Sequence, residues 1–295
     1  MKNVVIGEGR YSIVKQAIDS KTLRPLAVKI VDLSHHRDIF EREVEALKQL
    51  SVGHSGSPIL RPIRLKGSSK VLRSGSVPAC APPAVQGASE GESSNPYIVT
   101  LHYTEVVDDK GYLYLEKLPG TLTDFLDEHE RFSEAEGLMV FYKIAKAVKY
   151  IHKRGYTHND IKPENIAFCS STKLTKLFDF GLSMKIGDRT SSFKGGSPLY
   201  MAPEILNKTH DPVMSDVWAL GITLYEMLTG VVPLGHCESL QELVKSLAEG
   251  SSGYPYPEDM SPAIVGLIRR MLEDDPKKRV SVDVILSEIR KILKR

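Results

Sequence analysis

The stretch YTHNDIKPENIAF, residues 156–168, places Asp160, Lys162 and Asn165 behind a histidine and on either side of a proline. These side chains supply a base, a cation and an amide oxygen within six residues. Taken alone they also suit a polar turn after a helix. The surrounding sequence decides between the two.

Downstream, LFDFGLS (residues 177–183) presents Asp179 between apolar neighbours, where a bare carboxylate is costly unless it meets a cation or a metal. Upstream, GEGRYSIV (residues 7–14) can form a glycine turn whose backbone N–H groups approach phosphates closely, although an ordinary hairpin reads the same way. Lys29 lies mid-strand in LAVKI, where an ammonium needs a partner or an outward path to solvent. In RDIFEREVEALKQL, residues 37–50, Phe40, Val44 and Leu47 recur at helical steps, and Glu43 falls on the same inward face as a carboxylate for Lys29. A glycine loop, a lysine, two oxygen-bearing ligands and a carboxylate near the nucleophile are what a magnesium–nucleotide phosphate requires.

Composition narrows the class. The 295 residues carry 39 Lys and Arg against 37 Asp and Glu, so no overall field draws the chain to nucleic acid or to an anionic membrane. Cys80, Cys169 and Cys237 lie far apart without metal-ligand spacing, which argues against a disulfide framework or a zinc site and for a reducing compartment. No apolar run reaches the ~18 residues of a membrane span, and the start lacks a signal-peptide core. The expected location is the cytoplasm or nucleus.

The first third reads as strands around one helix: NVVIGEG, SIVKQAID and PLAVKIVDL, then the helix, then YIVTLHY and YLYLEK. Between residues 66 and 96, Gly, Ser, Pro and Ala supply 19 of 31 residues and aromatics are absent, which predicts a disordered insertion. ILRPIRL and YIVTLHY both fit the strand before the last one. After KLPG the pattern turns helical. Ser133 and Glu136 are expected to form a capping box, and Leu138, Phe141, Ile144, Val148 and Ile151 mark a helix ending at Gly155. SDVWALGITLYEML is apolar on nearly every face, as a central helix would be, and stops at Gly230.

These motifs, in order from Ile6 to Arg279, resemble the eukaryotic protein kinase family of serine/threonine type. The resemblance implies an α+β, bilobal fold: a small β-rich N-terminal lobe with one main helix, about residues 1–117, and a larger, mostly helical C-terminal lobe, about 118–295, forming a single kinase domain. It implies ATP and Mg2+ as cofactors and transfer of the γ-phosphate to Ser or Thr hydroxyls of protein substrates. Asp160 then corresponds to the catalytic base, Lys162 to the lysine at the γ-phosphate, Lys29 to the lysine on the α and β phosphates, and Glu43 to its partner. Asn165 and Asp179 correspond to the metal ligands. Ile6, Gly7, Glu8 and Gly9 fall in the glycine-rich loop, with Ser12 where many members have a third glycine. Val14, Ala27 and Ala167 would sandwich adenine. Leu115 would guard the back pocket, with the Glu116 carbonyl and Leu118 amide as hinge groups.

Ser197 in SPLYMAPE stands where Ser/Thr kinases carry Ser or Thr, Glu204 should pair with Arg279, and Asp216 should brace the catalytic loop. GSPLYMAPE and LGITLYEMLTG look closest to the calcium/calmodulin-type and autophagy-initiating groups. A pseudokinase scaffold would be expected to lose Lys29, Asp160, Asn165 or Asp179, and all four are present. A small-molecule kinase is disfavoured by the APE segment, the Glu204 and Arg279 partners and Lys162. The expected protein is a monomer that acts on protein substrates and is open to a regulatory partner, with no nucleic-acid or membrane partner.

Asn159 departs from the family, because many members place an arginine there to grip a phosphate on the activation loop. An amide forms no ion pair, so activity should depend little on phosphate at Thr190, Ser191 or Ser192 through this route; Lys185, Arg189 or Lys194 would be the other readers. Replacing Thr190, Ser191 and Ser192 together by Ala is therefore expected to leave most of the transfer rate intact, and a fall of about a hundredfold in a kinase assay, ~2.7 kcal/mol in barrier, would contradict this.

Overall fold

The computed structural model describes residues 4–20, 22–50, 95–188, 196–205 and 211–294. The chain divides into two compact units, Met1–Pro119 and Gly120–Arg295. ILRPIRL, residues 66–94 of the expected insertion, Arg189, Thr190, Ser191, Ser192 and Lys194 lie outside the described residues.

The first unit is a five-stranded antiparallel sheet in the order β1-β2-β3-β5-β4. Its strands are β1 (Val5–Gly9), β2 (Ser12–Ile18), β3 (Pro25–Asp32), β4 (Leu101–Val107) and β5 (Lys110–Glu116), with helix α1 (Leu33–Leu50) after β3. The strand that pairs with β5 thus comes from the end of YIVTLHY and the residues after it. The central strand β3 is buried on both faces, with Leu26, Ala27, Val28, Lys29 and Val31 inside. α1 begins four residues earlier than the periodicity predicts, with a kink at His36, and buries Ile39, Phe40, Glu43, Ala46 and Leu47. Val44, expected inward, is half-buried, and Ala46 takes the inner position beside Leu47.

Register sorts the sheet into two faces. Val14 pairs with Lys29, Lys29 with Leu113, and Ala27 with Leu115, and directly opposed residues point the same way. Gly7, Val14, Ala27, Lys29 and Leu115 therefore share one face, the face that receives α1. The other face carries Leu26, Val28 and Tyr114, with Tyr103 stacked on Tyr114 at 3.9 Å between ring centroids.

The second unit opens with α2 (Leu122–His129) and α3 (Glu134–Lys153), followed by β6 (Tyr156–Thr157), β7 (Ile166–Cys169), β8 (Leu174–Leu177) and β9 (Met184–Lys185). It continues through α4 (Pro212–Thr229), α5 (Leu240–Glu249), α6 (Pro262–Met271) and α7 (Val282–Ile292). β6 pairs with β9 and β7 with β8. α3 buries Leu138, Phe141, Ile144, Val148 and Ile151 as its spacing predicts, and the chain turns away at Gly155, φ +80°.

The expected capping box is only half made. Ser133 accepts the Glu136 backbone N–H, but the Glu136 carboxylate accepts from Lys173 Nζ at 2.6 Å instead of reaching back. The reciprocal box occurs at Thr121 and Asp124, at the start of α2. α4 is buried continuously from Ser215 to Tyr225. Asp211 caps it by accepting from Val213 N and Met214 N, Pro212 opens it, and Gly230 closes it in the left-handed conformation that glycine adopts without a Cβ penalty. Among the described residues, no helix is long and apolar enough to cross a membrane.

Gly111 is where α1 meets the sheet: a Cβ there would lie 2.6 Å from the ring of buried Phe40. Gly111→Ala is expected to cost the first unit ~1–3 kcal/mol by overpacking, read from denaturant unfolding with amide exchange followed in β3 and α1. A cost below about 0.5 kcal/mol would mean the ring moves aside freely.

Candidate functional site

In the first unit, Lys29 Nζ donates to Glu43 Oε2 at 2.6 Å, with side-chain exposures of 8% and 1%. Strand alternation fixes the lysine and helical periodicity fixes the glutamate, so two different repeats converge on one buried ion pair. Its geometry has to be good, because two desolvated charges are stable together only when closely hydrogen-bonded. The glycine turn lies on the neighbouring hairpin, where Gly7 pairs with Val14 and Gly9 with Ser12. Ile6 and Glu8 are on the same strand, Ile6 exposed and Glu8 pairing with Ile13. Glu116 ends β5, with its N–H on the Thr100 carbonyl, and Leu118 follows, half-buried.

In the second unit, residues 158–165 form a loop between β6 and β7. The Asp160 carboxylate is the most heavily bonded group in it. Oδ1 accepts from Ser197 N at 3.0 Å and Ser197 Oγ at 3.1 Å, and Oδ2 accepts from Asn165 Nδ2 at 2.8 Å. Lys162 Nζ donates to Ser197 Oγ at 2.5 Å and stands 3.4 Å from Asp160 Oδ2. The Asp160 carboxylate, the Lys162 ammonium and the Ser197 hydroxyl form one connected group. Gly196 allows it, since a Cβ there would come within 2.6 Å of the Asn159 carbonyl oxygen.

Asn165 also donates Nδ2 to the Asp160 carbonyl at 2.8 Å, which fixes the amide and leaves its oxygen as the atom that could meet a cation. Asp179 lies nearby in the chain path: Ile166 pairs with Leu177, and Phe178 N donates to the Asn165 carbonyl at 3.0 Å. One carboxylate and one carboxamide suit a hard cation that keeps its waters and takes phosphate oxygens, and do not suit a soft metal. Among the described residues, no three His, Cys, Asp or Glu side chains gather as a metal cage. Ala167 is fully buried in β7, bridged to Thr121.

Asp216 and the Glu204–Arg279 pair stand where the sequence places them. Asp216 accepts from His158 N at 2.9 Å and Asn159 N at 2.8 Å, and His152 Nε2 is 2.8 Å away. Arg279 makes a bidentate pair with Glu204 at 2.7 and 2.9 Å and stacks over Trp218 at 5.1 Å.

A second acidic group went unread in the sequence. Tyr200 Oη donates to Glu226 Oε2 at 2.6 Å. Glu226 is held up to about 7 by burial and then by the charge of Glu164, against the Tyr200 hydrogen bond that lowers it. Burial, then Glu226, Glu164 and Asp160, raise the Tyr200 phenol, which places all four groups in one field. The available signal was a glutamate in an otherwise apolar helical run, LYEML.

Comparison with known proteins matches residues 89–289 to the protein kinase domain family. Maternal embryonic leucine zipper kinase of Xenopus tropicalis is 30% identical over 290 residues, 96% of this chain and 37% of the relative. The ovarian-specific serine/threonine-protein kinase Lok of Drosophila melanogaster is 28% identical over 96% of this chain and 55% of its own length. CBL-interacting protein kinase 1 of Oryza sativa subsp. japonica is 36% identical over 64% of this chain and 41% of its own length. The chain thus spans about a third to a half of these relatives. With motifs, geometry and relatives in agreement, the chain belongs to the protein kinase domain family.

Proposed function

We propose that the chain transfers the γ-phosphate of ATP to Ser or Thr hydroxyls of protein substrates. The observation that carries this is the Asp160 group, a carboxylate anchored on both oxygens beside a lysine and an amide ligand. Asp160 orients a substrate hydroxyl and accepts its proton, and Lys162 offsets charge on the transferring group. In the first unit Lys29, held by Glu43, and the glycine turn bind phosphates, and Val14, Ala27, Leu115, Glu116 and Leu118 are the groups for adenine; in the second unit that group is Ala167. Asn165 and Asp179 would hold Mg2+, which would supply neutralisation of phosphate charge. Family membership supports this reading.

Substrate choice follows from Glu164, Glu226 and Tyr200. Two carboxylates that act with Asp160 on the Tyr200 hydroxyl favour a substrate with a basic side chain near its acceptor hydroxyl. A raised glutamate ionises only as pH climbs through about 7, so a basic substrate gains its full partner above that pH. The same shift makes the folded state bind the extra proton, so Glu226 withdraws stability as pH rises from the usual 4.5 to about 7.

Asp160→Asn is expected to lower kcat by ~10²- to 10⁴-fold with ATP affinity by calorimetry little changed; a variant of near-native rate would overturn the assignment. For two peptides differing only by Arg or Ala near the acceptor serine, the Arg peptide should have the lower KM. Its advantage should widen from pH 6 to 8 and shrink in Glu226→Gln. Equal KM values at every pH would remove the basic-substrate reading.

A further inference from the structure

Between Phe178 and Met184 the chain makes a short arc that carries Asp179, itself in the left-handed region at φ +62°. The arc is tied to the catalytic loop at its start and to β6 at its far end. At its start, Phe178 N donates to the Asn165 carbonyl, and His158 Nε2 donates to the Phe178 carbonyl at 3.0 Å. The tautomer is fixed by the other ring nitrogen, His158 Nδ1, which accepts Asp160 N at 3.3 Å. At the far end, Thr157 pairs with Met184. In between, Phe180 is fully buried with its ring edge-on to His158 at 4.8 Å.

The polar tie from the catalytic loop into the arc's interior comes from Asn159. Its Nδ2 donates to the Leu182 carbonyl at 3.0 Å, while its backbone N–H is held by Asp216. The amide orientation follows from chemistry, because a flipped group would set one carbonyl oxygen against another. Asn159 is at φ +64°, a conformation that asparagine tolerates better than most side chains. Left-handed backbone, buried anchor and side-chain donor act together here, so this is more than a polar residue filling a turn.

We infer that Asn159 is a positioning residue: through Leu182 it fixes the far side of the arc and so the direction in which Asp179 presents its carboxylate. The inference rests on the kinase reading for the role of Asp179 as a magnesium ligand. An uncharged donor on a backbone carbonyl makes this tie without any counter-charge, so the arc keeps its shape whatever charge the loop beyond it carries.

Asn159→Gly tests this, since glycine accepts the left-handed backbone, keeps the N–H to Asp216 and removes the side-chain amide. Hydrogen exchange at amides of residues 180–184 is expected to rise roughly threefold to tenfold, the size of one neutral hydrogen bond. The Mg2+ concentration for half-maximal transfer should rise by a similar factor, while KM for the protein substrate stays within twofold. Asn159→Asp, equal in size but with an acceptor facing the Leu182 carbonyl, should raise exchange at least as much. Unchanged exchange in both variants would overturn the inference, as would native Mg2+ dependence in both. A wild-type chain that transfers no phosphate would defeat the kinase reading instead, and the exchange measurement would still decide the role of Asn159.

Discussion

The carboxylate of Asp216 is the constraint on which the second unit depends. Its side chain is completely buried, a position that costs several kcal/mol for an ion unless its hydrogen-bonding capacity is filled. Two backbone amides and the His152 ring surround it. α4, apolar on nearly all sides, holds the aspartate still, and the aspartate holds residues 158 and 159. The Asp160 carboxylate follows them directly, and the arc bearing Asp179 is bonded to His158 and Asn159.

The first unit repeats the principle with one ion pair. Lys29 and Glu43 are buried on one sheet face and one helix face, and each makes the other's burial tolerable. Glu204 and Arg279 do the same beneath residues 196–205, with the guanidinium spread over Trp218. Such pairs add little net stability over apolar replacements, but they select one arrangement because half a pair is strongly disfavoured. In each unit the buried pair fixes the arrangement around candidate site residues.

Much of this was legible in the residues, and for definite reasons. Lys29, Glu43, Asp160, Asn165 and Asp179 are polar groups at positions where periodicity demands apolar ones or where a turn concentrates them. The β strands of the first unit announce themselves by alternation, and α3 and α4 by long apolar periods. α2 is harder to see because an eight-residue helix buries only Leu122 and Leu126. In α6, Ile264, Leu267, Ile268 and Met271 do recur at helical steps, so that element was readable in principle. The Ser133 box failed because Glu136 has a long-range alternative in Lys173, 37 residues away, which no local motif contains. The Tyr200–Glu226 bond and the Asn159–Leu182 bond are hidden for related reasons. One joins residues 26 apart, and the other ends on a backbone carbonyl, which carries no residue identity.

What matters most is whether the group around Asp160 moves a phosphoryl group to a protein hydroxyl. The direct measurement is incubation of the folded chain with magnesium and γ-labelled ATP, with and without a generic basic protein, followed by phosphoamino-acid analysis. The account predicts label on serine or threonine. A folded chain that binds ATP yet labels neither the added protein nor itself would contradict it.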